Sequence, residues 1–263
     1  MSGGCERGLA DVSQGVDTAS MCFTSDQHPP EPPISSEVGH HGPLVLTVAD
    51  GNRFSAFEAV PVTPRGASLV LLPDIRGMHA FYTDLALCFA QAGIDTVALD
   101  PYGRSAGLSA RDDDFAFTPH ATALTPQDVL ADARAAAARL HERSADPVFT
   151  LGFCMFGGQS WRLAATDLHP AGSIGFYGRP SAVEDVVGDL SAPLLILAAG
   201  DDKATSPQEN AAFVGSLNAA GKVHDYVVYE GAPHSFFDRG FEQWQAECTD
   251  AWVRMLGFID RNR

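Results

Sequence analysis

The hydrophobic positions of this chain alternate between short, largely apolar runs and longer stretches with helical spacing. The apolar runs are strand candidates, and they lie at 67–73, 95–99, 147–151, 172–178, 193–199 and 223–229. The helical stretches lie at 80–92, 125–140, 159–167, 207–220 and 241–259. Almost wholly apolar strands are typical of a parallel sheet covered on both faces. Their alternation with helices predicts an α/β fold with a mostly parallel central sheet and helices on both faces.

A hairpin precedes the first of these strands. Residues 44–48 and 53–60 are β-prone, and Asp50-Gly51 between them can adopt the positive φ angles that a tight turn needs. We predict that this N-terminal hairpin joins the sheet in antiparallel fashion. Residues 1–41 are mostly polar with a proline-rich piece, so we predict a poorly ordered N-terminal extension there and one α/β domain over 42–263.

The composition favours a single globular domain and excludes several partners. The chain has 263 residues, 45% of them hydrophobic, which is enough for one large α/β core. Its net charge of −16 repels a phosphate backbone or an anionic membrane, so we expect neither as a partner. Five scattered cysteines indicate a reducing compartment, and no segment has the pattern of a signal peptide or a membrane span. We expect a cytoplasmic monomer or weak homo-oligomer.

The candidate chemistry centres on Cys154. The segment Gly152-Phe153-Cys154-Met155-Phe156-Gly157-Gly158 follows a β-prone run and precedes a helix, which is the setting of a nucleophile elbow. Such a turn strains its central residue, and its glycines are needed because side chains there would strike the strand and the helix. The sulfur then faces a helix N-terminus, where free N–H groups favour the thiolate. The alternative is a buried cysteine that acts only as a small hydrophobe.

Two later segments supply partners in the chain order of an α/β-hydrolase triad, which runs nucleophile, acid, histidine. The apolar run at 193–199 leads to Gly200-Asp201-Asp202, and the run at 223–229 leads to His234. In such a triad the acid orients the histidine, which exchanges a proton with the nucleophile. We therefore predict a triad of Cys154, Asp202 and His234.

These motifs resemble those of the dienelactone hydrolase (carboxymethylenebutenolidase) family of the α/β-hydrolase superfamily. The resemblance covers about residues 42–260, and its most specific part is Tyr-Glu-x-Ala-x-His-Ser-Phe at 229–236. It implies an α/β-hydrolase fold and the hydrolysis of small lactones or esters through a thioester acyl-enzyme.

The resemblance also implies roles for residues on two other loops. The backbone N–H groups of Ile75 and Met155 are expected to hold the oxyanion. Asp74 stands where the family has a glutamate that contacts the nucleophile and helps to activate it. Family substrates carry a carboxylate, and Arg104, followed by Arg76, is the candidate to bind it.

Three features of the sequence leave the identity of the substrate and the shape of the site open. The family's second arginine follows the histidine by four residues, but Asp238 stands there and Arg239 comes one later, so a small lactone or ester is a better expectation than dienelactone itself. Tyr177 is either a wall of the substrate pocket or a core aromatic. Residues 105–124 are long for a connection and form either a flap over the site or a solvated loop.

Two functions of other classes are alternatives. A redox-active cysteine protein would need a resolving thiol near Cys154, for which Cys88 and Cys248 are candidates. A non-catalytic α/β-hydrolase scaffold would usually have lost a triad member. The sequence has no glycine-rich phosphate loop, metal-ligand cluster or dinucleotide fingerprint, so we expect no cofactor.

Overall fold

The computed structural model describes residues 28–263, and within them eight strands form one sheet. The strands are β1 (Val38–Thr47), β2 (Arg53–Pro61), β3 (Ser68–Leu72), β4 (Asp95–Leu99), β5 (Val148–Phe153), β6 (Gly172–Phe176), β7 (Leu194–Asp201) and β8 (His224–Pro233). Their order in the sheet is β1-β2-β4-β3-β5-β6-β7-β8. β2 pairs antiparallel with β1 and β4, and every other pairing is parallel. The predicted mostly parallel sheet with an N-terminal antiparallel hairpin is confirmed.

Helices follow most of the parallel strands and cover both faces of the sheet. They are α1 (Ala80–Gln91), α2 (Gly103–Ala106), α3 (Phe117–Ala123), α4 (Pro126–His141), α5 (Met155–Leu163), α6 (Pro207–Ala219) and α7 (Gln245–Asn262). One face packs against α1 and α7, and the other against α4, α5 and α6. The start of α4 is a capping box in which Thr125 and Asp128 satisfy each other's backbone N–H groups, with Pro126 at the first helical position.

The described part of the predicted extension packs on this domain. β1 begins at Val38, before the boundary that we predicted at residue 42. Ahead of it, Trp252 Nε1 in α7 donates to the carbonyl of buried Pro30 at 2.8 Å, and Ser36 N donates to Gln91 O in α1 at 2.8 Å. This stretch has no periodic pattern of apolar residues, because these contacts are made by backbone groups. The part of the prediction that concerns residues 1–27 lies outside the described residues.

The parallel strands determine where functional side chains can meet. The carboxyl ends of β3, β5, β6, β7 and β8 all point to the same edge of the sheet, because these strands run in the same direction. The loops that leave these ends therefore lie side by side. None of the helices in the described part of the chain is long and apolar enough to cross a membrane.

Candidate active site

Cys154 occupies a sharp turn between β5 and α5. Its backbone has a φ of +54° and a ψ of −121°, a conformation that is uncommon for a residue with a side chain. Its N–H donates to Phe176 O of β6 at 3.1 Å, which ties the turn to the neighbouring strand. A Cβ on Gly152 would lie 1.9 Å from the carbonyl oxygen of Phe156, so only glycine fits there. The turn thus places the sulfur at the N-terminus of α5.

His234 is held by the acid that follows β7. The structure places Asp202 Oδ2 2.8 Å from His234 Nδ1, and the Asp202 carboxylate is buried. Its other oxygen accepts the N–H groups of Ala204 at 2.7 Å and Thr205 at 3.3 Å, which hold the carboxylate in place. The neighbouring Asp201 is exposed and pairs with Lys203 instead. Asp202, and not Asp201, is therefore the residue that contacts the histidine.

Cys154 lies on the other side of the His234 ring. Burial lowers the pKa of His234, but the Asp202 hydrogen bond and the Cys154 sulfur outweigh burial and raise this pKa to about 10. Since Asp202 occupies Nδ1, Nε2 is the nitrogen that remains for the thiol. An imidazole that prefers its charged form in this position can stabilise a thiolate beside it. Asp202 and Cys154 thus both act on His234, the histidine of the predicted triad.

The loop after β3 carries the first predicted oxyanion donor, Ile75. The Tyr102 hydroxyl donates to the Ile75 carbonyl at 2.6 Å, and Arg76 N donates to Asp74 Oδ1 at 2.8 Å, so both polar groups of the peptide bond between Ile75 and Arg76 are held. The second predicted donor, Met155, is the first residue of α5, where a backbone N–H has no acceptor within the helix. Both residues thus present backbone N–H groups at the edge of the sheet where the cysteine lies.

Asp74 is a buried carboxylate that binds arginine. Arg76 Nε lies 3.1 and 2.9 Å from its two oxygens, and Arg76 Nη2 makes a further contact. Arg239 Nη2 and His79 Nε2 lie 3.9 Å from the same carboxylate. Burial would raise the pKa of Asp74, but the charge and hydrogen bonds of Arg76 outweigh it and lower this pKa. Among the described residues, the hydrogen bonds of Asp74 go to Arg76, whereas the family resemblance led us to expect a contact with Cys154.

A second buried acid, Asp238, lies near this site, although the sequence did not predict it as a site residue. It is fully buried, and the Tyr82 hydroxyl donates to its Oδ2 at 3.3 Å. Burial and the nearby charge of Asp74 raise the pKa of Asp238 above its ordinary value. The one feature of the sequence that pointed to Asp238 was its position four residues after His234, where the family has an arginine. Tyr82 gave no signal, because in α1 it looks like any other residue on an apolar helix face.

Tyr177 is a core aromatic that lies beside the histidine, and its role as a pocket wall stays a prediction. It is 2% exposed, so it is a core aromatic, and its ring centroid lies 4.8 Å from that of His234. Burial and the charge of Asp238 raise its pKa well above the usual value, which keeps the hydroxyl protonated. Tyr177 therefore supports the histidine ring from within the core.

Arg104 does not join these residues. Its guanidinium is 2.5 Å from Asp50 in the β1–β2 turn, and 3.1 and 3.2 Å from Asp128 and Asp132 in α4. Three carboxylates thus hold Arg104 between the hairpin and the helix layer. The Arg104 guanidinium is thus occupied by carboxylates of the protein itself, and its expected role in binding a substrate carboxylate stays a prediction.

The other cysteines of the described part of the chain do not suit a redox pair. Cys88, Cys154 and Cys248 are all free thiols. Burial raises the pKa of Cys88 and of Cys248 to about 12, so neither thiol ionises readily. This chemistry disfavours either one as a resolving thiol.

The chain is similar to known dienelactone hydrolases and carboxymethylenebutenolidases. A model of the dienelactone hydrolase family matches residues 54–262. The chain is 25% identical over 252 residues to a "Putative carboxymethylenebutenolidase" of Saccharolobus solfataricus, over 81% of this chain and 96% of that protein. It is 27% identical over 227 residues to a "Probable 2-oxo-3-(5-oxofuran-2-ylidene)propanoate lactonase" of Bradyrhizobium sp., over 80% of this chain and 90% of that one. The fold is similar to the crystal structure of a "Putative Dienelactone Hydrolase" from Klebsiella pneumoniae, with a TM-score of 0.71, 22% identity, and coverage of 84% of this chain and 99% of that chain.

Proposed function

The chain belongs to the dienelactone hydrolase family, whose members hydrolyse lactones and esters, and we propose that it does so with Cys154 as nucleophile and a thioester as intermediate. The observations that carry this proposal are the 2.8 Å contact between Asp202 and His234, the effect of Cys154 on the pKa of His234, and the strained elbow at Cys154. A cysteine with only a packing role would need neither the elbow nor a histidine oriented by a buried acid.

The first half of the reaction transfers the acyl group to the enzyme. The Cys154 sulfur attacks the acyl carbon of the substrate, and the carbonyl electron pair moves onto oxygen. The N–H groups of Ile75 and Met155 would hold that oxyanion. When the adduct collapses, the bond between the acyl carbon and the ring or ester oxygen breaks, and the protonated ring of His234 supplies the proton to that oxygen.

The second half of the reaction regenerates the cysteine. His234, now neutral, takes a proton from water, and the hydroxide attacks the thioester carbon. The carbon–sulfur bond breaks, the acid product leaves, and sulfur again faces the imidazolium. Asp202 keeps the ring of His234 in place through both halves, since its carboxylate is fixed by two backbone N–H groups.

Small substrates that carry a carboxylate suit this site. Arg76 and Arg239 stand around Asp74 and supply two positive charges at this place, although the chain has a net charge of −16. In this proposal Asp74 positions the two arginines instead of acting on the thiol directly. Arg104 takes no part in binding.

The remaining expectations concern location and assembly. The free thiols at Cys88 and Cys248 support a reducing compartment such as the cytoplasm, and the net charge of −16 argues against nucleic acid and membrane partners. A monomer or weak homo-oligomer stays a prediction.

The test measures hydrolysis of p-nitrophenyl acetate and of a small lactone by the wild type, Cys154→Ala and the control Cys88→Ala. We expect kcat/KM to fall on the order of 10³-fold or more in Cys154→Ala, because a triad loses its function with its nucleophile. Cys88→Ala should keep its rate, and iodoacetamide should inactivate it by labelling Cys154. Hydrolysis at wild-type rates by Cys154→Ala would exclude the mechanism.

A further inference from the structure

Residues 105–124 send one charged side chain into the interior of the protein. The Arg111 guanidinium is 3% exposed and pairs with the buried Asp100 after β4. Arg111 Nη2 lies 2.6 Å from Asp100 Oδ2, and Nε lies 3.3 Å from Oδ1. The same Nη2 donates to Gly107 O at 2.7 Å, and the guanidinium lies 4.7 Å from the centre of the Phe115 ring. A charge buried this deeply is stable only with such a complete set of partners.

Asp100 and Tyr102 in turn hold the loop after β3. Asp100 Oδ1 accepts the N–H of Met78 at 3.3 Å, and the Tyr102 hydroxyl donates to Ile75 O at 2.6 Å. These two hydrogen bonds fix the loop on either side of the turn at Gly77. They therefore restrict the backbone that presents the Ile75 N–H.

The turn at Gly77 packs directly on the Arg111–Asp100 pair. Gly77 has a φ of +85°, and a Cβ there would lie 2.9 Å from Asp100 Oδ1 and 3.1 Å from both Arg111 Cγ and Tyr102 Cδ2. The loop thus has no free space on this side. A shift of the Arg111 side chain would be transmitted to the loop.

The Asp100 carboxylate that binds this loop is itself held by Arg111. Burial raises the pKa of Asp100, and Arg111 is the group that most opposes this shift. From the outer side, the Phe115 and His120 rings stack on each other with centroids 5.1 Å apart, and both lie against Tyr102, at 5.8 and 6.0 Å. The segment 105–124 therefore covers both anchors of the loop after β3.

We propose that Arg111 is a positioning residue, which acts through Asp100 and Met78 to hold the Ile75 N–H where the oxyanion forms. The segment 105–124 is then a clamp on the oxyanion loop, and not simply a flap or a solvated loop. This inference rests on the proposed function, because only a reaction with an oxyanion needs the clamp.

The experiment compares Arg111→Met, which keeps the side-chain volume without the charge, with Arg111→Lys and with the surface control Arg261→Met. Arg261 pairs with Asp225 at 2.6 Å on the exposed end of α7, far along the chain from either loop. For each variant, kcat and KM for p-nitrophenyl acetate, the rate of Cys154 alkylation by iodoacetamide, and Tm are measured. Alkylation needs the thiolate but no oxyanion donor, so it reports on Cys154 and His234 alone.

We expect Arg111→Met to lower kcat on the order of 10²-fold, comparable to removal of one oxyanion donor, with little change in KM or in the alkylation rate. Arg111→Lys keeps the charge beside Asp100 and should lose less, which provides a folded variant if the methionine variant unfolds. Arg261→Met should match the wild type. In addition, the Ki of a trifluoromethyl ketone, which forms a tetrahedral adduct with sulfur, should rise in parallel with the loss of kcat/KM.

Three results would overturn the inference. Unchanged kcat in a folded Arg111→Met variant would show that the clamp does not matter for the reaction, and if that variant unfolds, unchanged kcat in Arg111→Lys would show the same. Equal losses of kcat and alkylation rate would show general damage to the cysteine site. If the wild type hydrolyses esters but iodoacetamide leaves that activity intact, the cysteine mechanism itself fails, and this result is read without any Arg111 variant.

Discussion

Arg104 and Arg239 differ in the number of carboxylates that surround them, and this difference affects how well each can bind an anionic substrate. Arg104 is surrounded by the carboxylates of Asp50, Asp128 and Asp132, and each removes part of its capacity to bind an anion. Arg239 lies 3.9 Å from Asp74, which already forms a bidentate pair with another arginine. In the proposed function Arg239 binds the substrate carboxylate, and Arg104 does not.

Substitution of each arginine by methionine separates these roles. Arg239→Met should lower kcat/KM more for a carboxylate-bearing dienelactone than for a neutral ester of similar size. Expressed as lost transition-state stabilisation, the difference should be about 1.5–3 kcal/mol, the range for a hydrogen bond to a charged group. Arg104→Met should affect both substrates equally and lower Tm, because it leaves Asp132 buried beside no cation. The measurement is kcat/KM for both substrates in both variants. Selectivity that changes only in Arg104→Met would reverse the assignment.

The β5-turn-α5 element places the proposed nucleophile by steric exclusion. The turn brings the first helical turn of α5 so close to β5 that no Cβ fits at Gly152. The nearest atoms are the backbone carbonyl of Phe156, which cannot move without shifting the helix. This requirement is local, and it explains why the spacing of glycines in the sequence was enough to locate the element.

Alanine substitutions at two glycines test this requirement. Gly152→Ala should destabilise the protein by about 3 kcal/mol or more, or prevent folding, since overpacking against backbone leaves no easy relaxation. Gly215 lies within α6, and nothing lies within 4 Å of a Cβ placed on it. Gly215→Ala should therefore stabilise the protein by about 0.5–1 kcal/mol. Urea unfolding of both variants gives the free energies. A well-folded Gly152→Ala with wild-type stability would contradict this description of the elbow.

Across the whole molecule, buried acids link stability to pH. Asp132 in α4 is fully buried and helps to join the helix layer to the first hairpin through Arg104. Burial raises the pKa of Asp132 to about 7, although Arg104 opposes the shift. An acid whose pKa is raised by folding favours the folded state most below its unfolded pKa, and that contribution is lost as pH rises through the folded value. The Asp132 contribution to stability should therefore decline between about pH 4 and pH 7.

The variant Asp132→Asn should remove this decline. At pH 8 we expect it to be more stable than the wild type, on the order of 2–4 kcal/mol, and at pH 4 about equally stable, because asparagine resembles the neutral acid. Asp113→Asn, which removes one exposed carboxylate, is the control and should leave the pH dependence unchanged. Urea unfolding from pH 4 to 8 measures both. Parallel curves for the wild type and Asp132→Asn would show that Asp132 is ionised in the folded protein throughout.

The sequence alone determined the order of strands and helices, the elbow, and the pairing of Asp202 with His234. These features depend on interactions that leave a local pattern: a strand buried on both faces is apolar throughout, and an elbow excludes side chains at set positions. The parallel strands then bring the ends of successive loops to one edge of the sheet, so the triad follows from chain order.

Only the tertiary structure decided which charges meet and which are buried. Arg104 meets Asp50 and Asp132, Arg111 packs against the loop after β3, and Asp238 is buried beside Tyr82. These contacts join residues that are up to 156 positions apart, and each depends on distances of a few ångströms between separate elements. Ion pairs and buried acids have no periodic signature, because their free energy depends on what surrounds them in space and not on their neighbours in the chain.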